Sequence, residues 1–156
     1  MPYDRATACA VSRSIGAYCA PAASYTVTVN RAAQATYTAL PPARVLDSRT
    51  GNGLAGAFVA GAVRTLQVTG RGGVPAGAKA VTINVTVVGQ SAGGYLSVGP
   101  ALAVPPATST LNFPLGDTRA NGATVALAGS GSLAIVYIGP AGARTHVVID
   151  VTGYFD

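Results

Sequence analysis

Residues Pro75 to Thr86 read PAGAKAVTINVT, and residues Pro140 to Thr152 read PAGARTHVVIDVT. In the first copy Val81, Ile83, Val85 and then Val87 alternate with Thr82, Asn84 and Thr86, the period-two pattern of a strand with one buried face and one wet face. Burying each aliphatic member contributes roughly 1.5–3 kcal/mol. A slip of one residue would turn the whole set to solvent, so the register is strongly specified. The second copy places Val147, Ile149 and Val151 inward and His146, Val148, Asp150 and Thr152 outward. Two further segments, LDSRTGNG (Leu46 to Gly53) and LGDTRANG (Leu115 to Gly122), repeat an Asp-Ser/Thr-Arg turn rich in Gly and Asn. Self-similarity of this kind predicts a scaffold of two pseudo-repeated halves.

Outward from these segments, strand signals recur between Gly and Pro breaks: Val63 to Thr69, Ala80 to Val88, Tyr95 to Val98, Thr108 to Phe113, Ala123 to Leu127, Leu133 to Ile138 and His146 to Thr152. Their spacing is that of a β-sandwich or barrel, and nowhere do apolar positions recur at helical period over three turns. The fold predicted is all-β, a jelly-roll-like β-sandwich. Gly129-Ser130-Gly131-Ser132 reads as a hairpin turn, and the closing Tyr154-Phe155 as rings that seal one end of the core. Pro41-Pro42 reads as a rigid spacer that no helix or central strand would accept. It divides the chain into an N-terminal arm, residues 1–40, and a sandwich module, residues 41–156. The arm holds a strand-like YTVTVN (Tyr25 to Asn30) and a second Thr/Tyr run around Tyr37, and it is the expected attachment element.

At 156 residues the chain is about one domain, long enough to bury roughly two-thirds of its unfolded surface. Nearly half of it is apolar, largely Ala and Val, with three Phe and no Trp; Glu is absent and Lys79 is the sole Lys. Strands and turns surfaced by Thr, Ser, Gly and Ala are what this inventory favours. The net charge of +5 suggests nucleic acid until the basic residues are located. Arg5, Arg13, Arg31, Arg44, Arg49, Arg64, Arg71, Lys79, Arg119 and Arg144 are scattered with no two adjacent, which argues against a phosphate-binding stripe. Cys9 and Cys19 either form a disulfide, worth roughly 2–3 kcal/mol for so short a loop, or remain free thiols. The disulfide reading implies an oxidising compartment. The N-terminus shows no basic region followed by an apolar run, and no apolar stretch approaches the length of about 20 residues that spans a membrane, so no membrane insertion is expected.

Catalysis needs ionisable groups, and this chain is short of them. Its acids are Asp4, Asp47, Asp117, Asp150 and Asp156, and its only imidazole is His146. No G-x-S-x-G elbow occurs. His146 and Asp150, four apart on one strand face, stand about 13 Å from each other, too far to pair. Two cysteines and one His do not make a zinc site, and one carboxylate per turn does not make a calcium loop. No enzyme, metal or cofactor is expected. Asp47 with Arg49 and Asp117 with Arg119 read first as structural pins, the carboxylate capping its turn and the guanidinium reaching a neighbouring strand's carbonyls or the other half's Asp. The functional counterpart is a paired sugar- or anion-binding edge. Tyr95, after Gly93-Gly94, is the ring best placed to stack on a sugar, against a bland reading as an amphipathic edge residue.

At PPARVLDSRTG, VPAGAKAVTINVTVVG, GGYLSV, STLNFPLGDTRANG and HVVIDVTGYF, residues 41 to 155 resemble a recurrent actinobacterial secreted or cell-surface β-rich repeat module with a PARVLDTRTG-type opening and a VTGYF-type close. The resemblance implies a β-rich surface unit without catalytic residues. One unit, a Cys-containing arm and no visible signal depart from that pattern and raise the alternative of an actinobacteriophage virion component. The function expected is a structural or adhesive module on a virion or cell exterior. It would be attached to a protein partner, or to symmetric copies of itself, through residues 1–40. A carbohydrate-binding module for cell-surface glycans is the alternative.

Overall fold

The computed structural model describes residues 35–156, and these contain nine strands and no helix. Cys9, Cys19, the YTVTVN segment and most of the expected arm lie outside the described residues. In chain order the strands are β1 (Tyr37–Asp47), β2 (Phe58–Val59), β3 (Val63–Gln67), β4 (Ala80–Val88), β5 (Gly94–Gly99), β6 (Leu111–Phe113), β7 (Arg119–Ala126), β8 (Ser132–Ile138) and β9 (Arg144–Phe155). One sheet runs β1-β9-β4-β7 with β2 paired to the start of β9, and the other runs β3-β8-β5-β6. The antiparallel pairs β1/β9, β3/β8, β4/β7 and β5/β6 nest outward from the β5–β6 connection. That nesting is the wrapping of a jelly roll.

The repeated segments become the two central strands of the first sheet. Asn84 faces its own repeat counterpart Asp150, and the flanking positions cross over about that pair, Ile83 opposite Val151 and Val85 opposite Ile149, until a bulge at Thr82/Ile83 breaks the symmetry. Val81, Ile83, Val85 and Val87 are buried, as are Val147, Ile149 and Val151. They pack against Leu96 and Val98 of β5, Leu111 and Phe113 of β6, and Leu133, Ile135 and Tyr137 of β8. The Phe113 and Tyr137 rings lie 5.6 Å apart, and the Tyr137 hydroxyl donates to the carbonyls of Ala92 and Gly93. Tyr154 packs on the core, while Phe155 lies against Tyr37 with ring centroids 5.0 Å apart. The two Asp turns do not follow the strands' symmetry, because Asp47 closes β1 whereas Asp117 precedes β7.

Three expected boundaries move. β1 runs through the expected division at residues 40/41, so residues 37–40 belong to the sheet. Pro41 and Pro42 sit in a register gap between Ala39 and Ala43 on this edge strand, where a missing N–H costs no ladder bond. A second break between Arg44 and Leu46 lets consecutive Val45 and Leu46 both enter the core. β7 begins at Arg119, so the RANG half of the expected second turn is strand. Residues 129–132 carry the chain from one sheet to the other rather than closing a hairpin, and the Gln67 side chain holds the carbonyls of Ser130 and Gly131.

Candidate functional site

Charged side chains gather where β1 ends against β9. Arg44 and Asp150 are cross-strand partners in the register, and the guanidinium forks onto the carboxylate with Nε–Oδ1 at 2.9 Å and Nη2–Oδ2 at 3.1 Å. Arg44 Nη1 also reaches Asp47 Oδ2 at 3.5 Å. Asp47 in turn accepts from the Arg49 backbone N–H at 3.1 Å, from Nε at 2.9 Å and from Nη2 at 2.7 Å. The result is an alternating ladder, Asp150–Arg44–Asp47–Arg49. The Asp47 side chain is only 6% exposed. The hydrogen bonds from the Arg49 side chain hold its carboxyl well below the usual carboxylate range.

Beside this ladder lies a contact that sequence reasoning missed. Ser48, fully buried, accepts a hydrogen bond from Val147 N–H at 3.0 Å and meets His146 Nδ1 at 3.0 Å. A serine next to the lone imidazole has the parts of a nucleophilic dyad. Its geometry serves another end: the hydroxyl oxygen is out of reach of a substrate, and the nearest carboxylate, Asp47, is occupied by two guanidinium groups. The hydroxyl pins the turn to β9. The signal was the coincidence of VLDS at the end of an edge strand with HVVIDV on its partner, and only the β1/β9 register reveals it.

The second Asp turn is similar in chemistry and looser in setting. Arg119 Nη2 lies 2.6 Å from Asp117 Oδ2, with both side chains more than a third exposed. Arg119 Nη1 donates to the carbonyl of Asn112, and the buried amide of Gln90 donates to the carbonyls of Pro114 and Asp117. Each Arg therefore closes on the Asp of its own turn, and neither reaches the other half's Asp. Asp47, Val148, Thr86 and Ala120 share one row across the sheet. The two turns thus lie at the same end on opposite edges, three strand spacings or about 14 Å apart. Tyr95 is half-buried rather than exposed. It pairs with Asn112, whose carbonyl Arg119 grips, so Tyr95 stands near the second turn and not the first. The expected sugar- or anion-binding edge is not assembled: Tyr95 is partly covered and both Arg forks are engaged.

A groove of about 510 Å³ lies elsewhere, between the β5–β6 connection and β7. Leu102, Thr108, Thr110, Asn121 and Val125 are among its lining residues, and none of its lining side chains is ionisable. Asn121 spans the mouth of the sandwich and donates to the carbonyl of Thr110 at 2.7 Å. Arg64 donates to the carbonyls of Ala55 and Gly56 and lies over the Phe58 ring, and Arg71 donates to Asn52. With Arg44, Arg49 and Arg119, these cations direct donors to the chain's own acceptors, although the buried Nε of Arg71 has no hydrogen-bond partner among the described residues. Among the described residues no group of three or more His, Cys, Asp or Glu could hold a metal ion, and no helix is long and apolar enough to cross a membrane.

Fold and site together define a jelly-roll sandwich whose charged turns are bonded inward. Comparison with protein-family models, with curated proteins and with solved structures finds no match to the chain.

Proposed function

We propose that this chain is a non-catalytic structural and adhesive module, displayed on the exterior of a virion or cell and attached through the residues that precede β1. The observation that supports the reading most is a separation. The groove between the β5–β6 connection and β7 has no ionisable lining side chain, while Arg44, Asp47, Arg49, Asp150 and His146 near β1 and β9 are bonded to one another or to Ser48. A scaffold of this kind presents a stable, weakly charged surface, and weak contacts gain strength through multiple copies.

The test compares the full chain with one beginning at residue 35, two residues upstream of β1, for incorporation into the particle or envelope from which the protein is purified. Loss of incorporation with unchanged β-sheet circular dichroism is expected. Undiminished incorporation would defeat the attachment reading, and any turnover abolished by His146→Ala would defeat the non-catalytic one.

A further inference from the structure

The ladder between β4 and β7 fixes which way each backbone group of β7 points. Leu127 N–H donates to Lys79 C=O at 2.8 Å. Although Lys79 N–H turns to Phe155 C=O, the same parity follows at the far end, where Val147, opposite Val87, directs both its N–H and its C=O to Ser48 on the β1 side and so leaves the Val87 backbone to β7. Alternation along the antiparallel register makes Val81 with Val125, Ile83 with Ala123, Val85 with Asn121 and Val87 with Arg119 the bonded couples. Ala120, Gly122, Thr124 and Ala126 then turn both N–H and C=O away from β4, toward an edge on which no other described strand pairs. All four are exposed.

Edges of this kind are normally blunted by proline, charge, bulges or shortness. The opposite edge of the same sheet is blunted in three of these ways, by Pro41-Pro42, by two register breaks and by the Arg44–Asp150 pair. The edge strands of the other sheet, β3 and β6, have five and three residues. β7 has eight residues in unbroken register, no proline, and a single charge, Arg119, neutralised by Asp117. It is the one long unguarded edge among the described residues.

We propose that β7 docks against β7 of a second copy of this chain, antiparallel about a two-fold axis at Ala123, so that the two first sheets become one continuous sheet. The hydrogen-bond alternation is self-complementary in that register. Gly122 faces the partner's Thr124 and Ala120 faces the partner's Ala126, so every freed N–H meets a freed C=O. The facing side chains are Ala, Gly and Thr, with no bulk to obstruct the approach and no pocket or charge to select a foreign strand. The antiparallel arrangement puts the two Arg119 side chains at opposite ends of the seam, whereas a parallel one would stack them. Closure about a two-fold also consumes both edges and leaves none to propagate. Half-buried Ala123 and Val125, which border the groove, gain cover. This interface uses residues 119–126 and does not rest on attachment through the N-terminal segment.

The experiment is sedimentation velocity on the full chain over a concentration series at low salt, with Thr124→Lys and Thr124→Glu variants alone and mixed. Position 124 lies on the exposed sheet face, diagonal to its symmetry mate. Each variant alone is expected to weaken dimerisation roughly three- to tenfold through like-charge repulsion. An equimolar mixture is expected to recover or exceed the original dimer, which also shows that both variants are folded. A chain that stays monomeric throughout the series overturns the proposal. So does an oligomer indifferent to both variants, which would assign self-association to the residues before β1.

Discussion

Ser48 is one buried hydroxyl with two neighbours, and they do not depend on it equally. Val147 N–H is fully buried and has Ser48 Oγ as its acceptor, whereas His146 is half-buried and can turn to water. Ser48→Ala should therefore cost about 1–3 kcal/mol, the price of a buried donor left unpaired, and His146→Ala about 1 kcal/mol or less. Urea midpoints for the two variants check this, and the reverse order would refute the account of the serine as a backbone anchor. Asp47 makes a prediction in pH. Its folded carboxyl titrates below the unfolded value because Arg49 hydrogen-bonds the charged form. Its contribution to stability is complete above the unfolded carboxylate pKa of about 4 and is lost as the pH falls from there toward the folded value. Asp47→Asn should be less stable than the parent chain at pH 7, and the gap should narrow on acidification through pH 4 to pH 2. A gap that stays constant over that range would mean that the carboxylate's charge is not what matters.

Among elements, β1 shows what a sequence conceals. Its ladder with β9 pairs Tyr37 with Phe155, Thr38 with Tyr154 and Ala39 with Gly153, upstream of two prolines that look like a break. Proline excludes a central strand but not an edge strand at a bulge, and edge position is a property of the fold rather than of the local residues. RANG in β7 was misread for a related reason: Gly and Asn signal a turn, yet here they lie in an exposed edge strand that tolerates them. The VTINVTV pattern of β4 was legible because alternation carries its own register. The Ser48–His146 contact joins residues 98 apart and was not legible at all. Two truncations test the boundary. A chain beginning at residue 35 should melt as the parent does, whereas one beginning at residue 41 loses the first three rungs of the β1/β9 ladder, the Tyr37–Phe155 ring contact and the half-buried Leu40. Thermal unfolding should place the shorter chain clearly lower. Equal midpoints would return residues 37–40 to the arm.

For the molecule as a whole, the order of assembly follows from the nesting. β9 pairs with β1, β2 and β4, so the last described strand lies at the centre of the first sheet. Until it arrives, β1 and β2 have no partner in that sheet and β4 has only β7. The repeat reinforces this, because the two strands most clearly encoded in the sequence are each other's neighbours and bury their aliphatic rows together against β8 and β5. Pairings that join the two ends of a chain close long loops before they are rewarded. Sheet proteins of this contact pattern fold in about milliseconds to seconds. Stopped-flow refolding should show a main phase in that range. A chain ending at Ala143 should then lack a cooperative thermal transition and dispersed amide resonances, because it forfeits β9's six buried residues, Thr145, Val147, Val148, Ile149, Val151 and Gly153, together with both central ladders. If that truncated chain still melts cooperatively, the second sheet and β4/β7 must hold together without the central strand, and the account of the fold as a sandwich closed by its last strand fails.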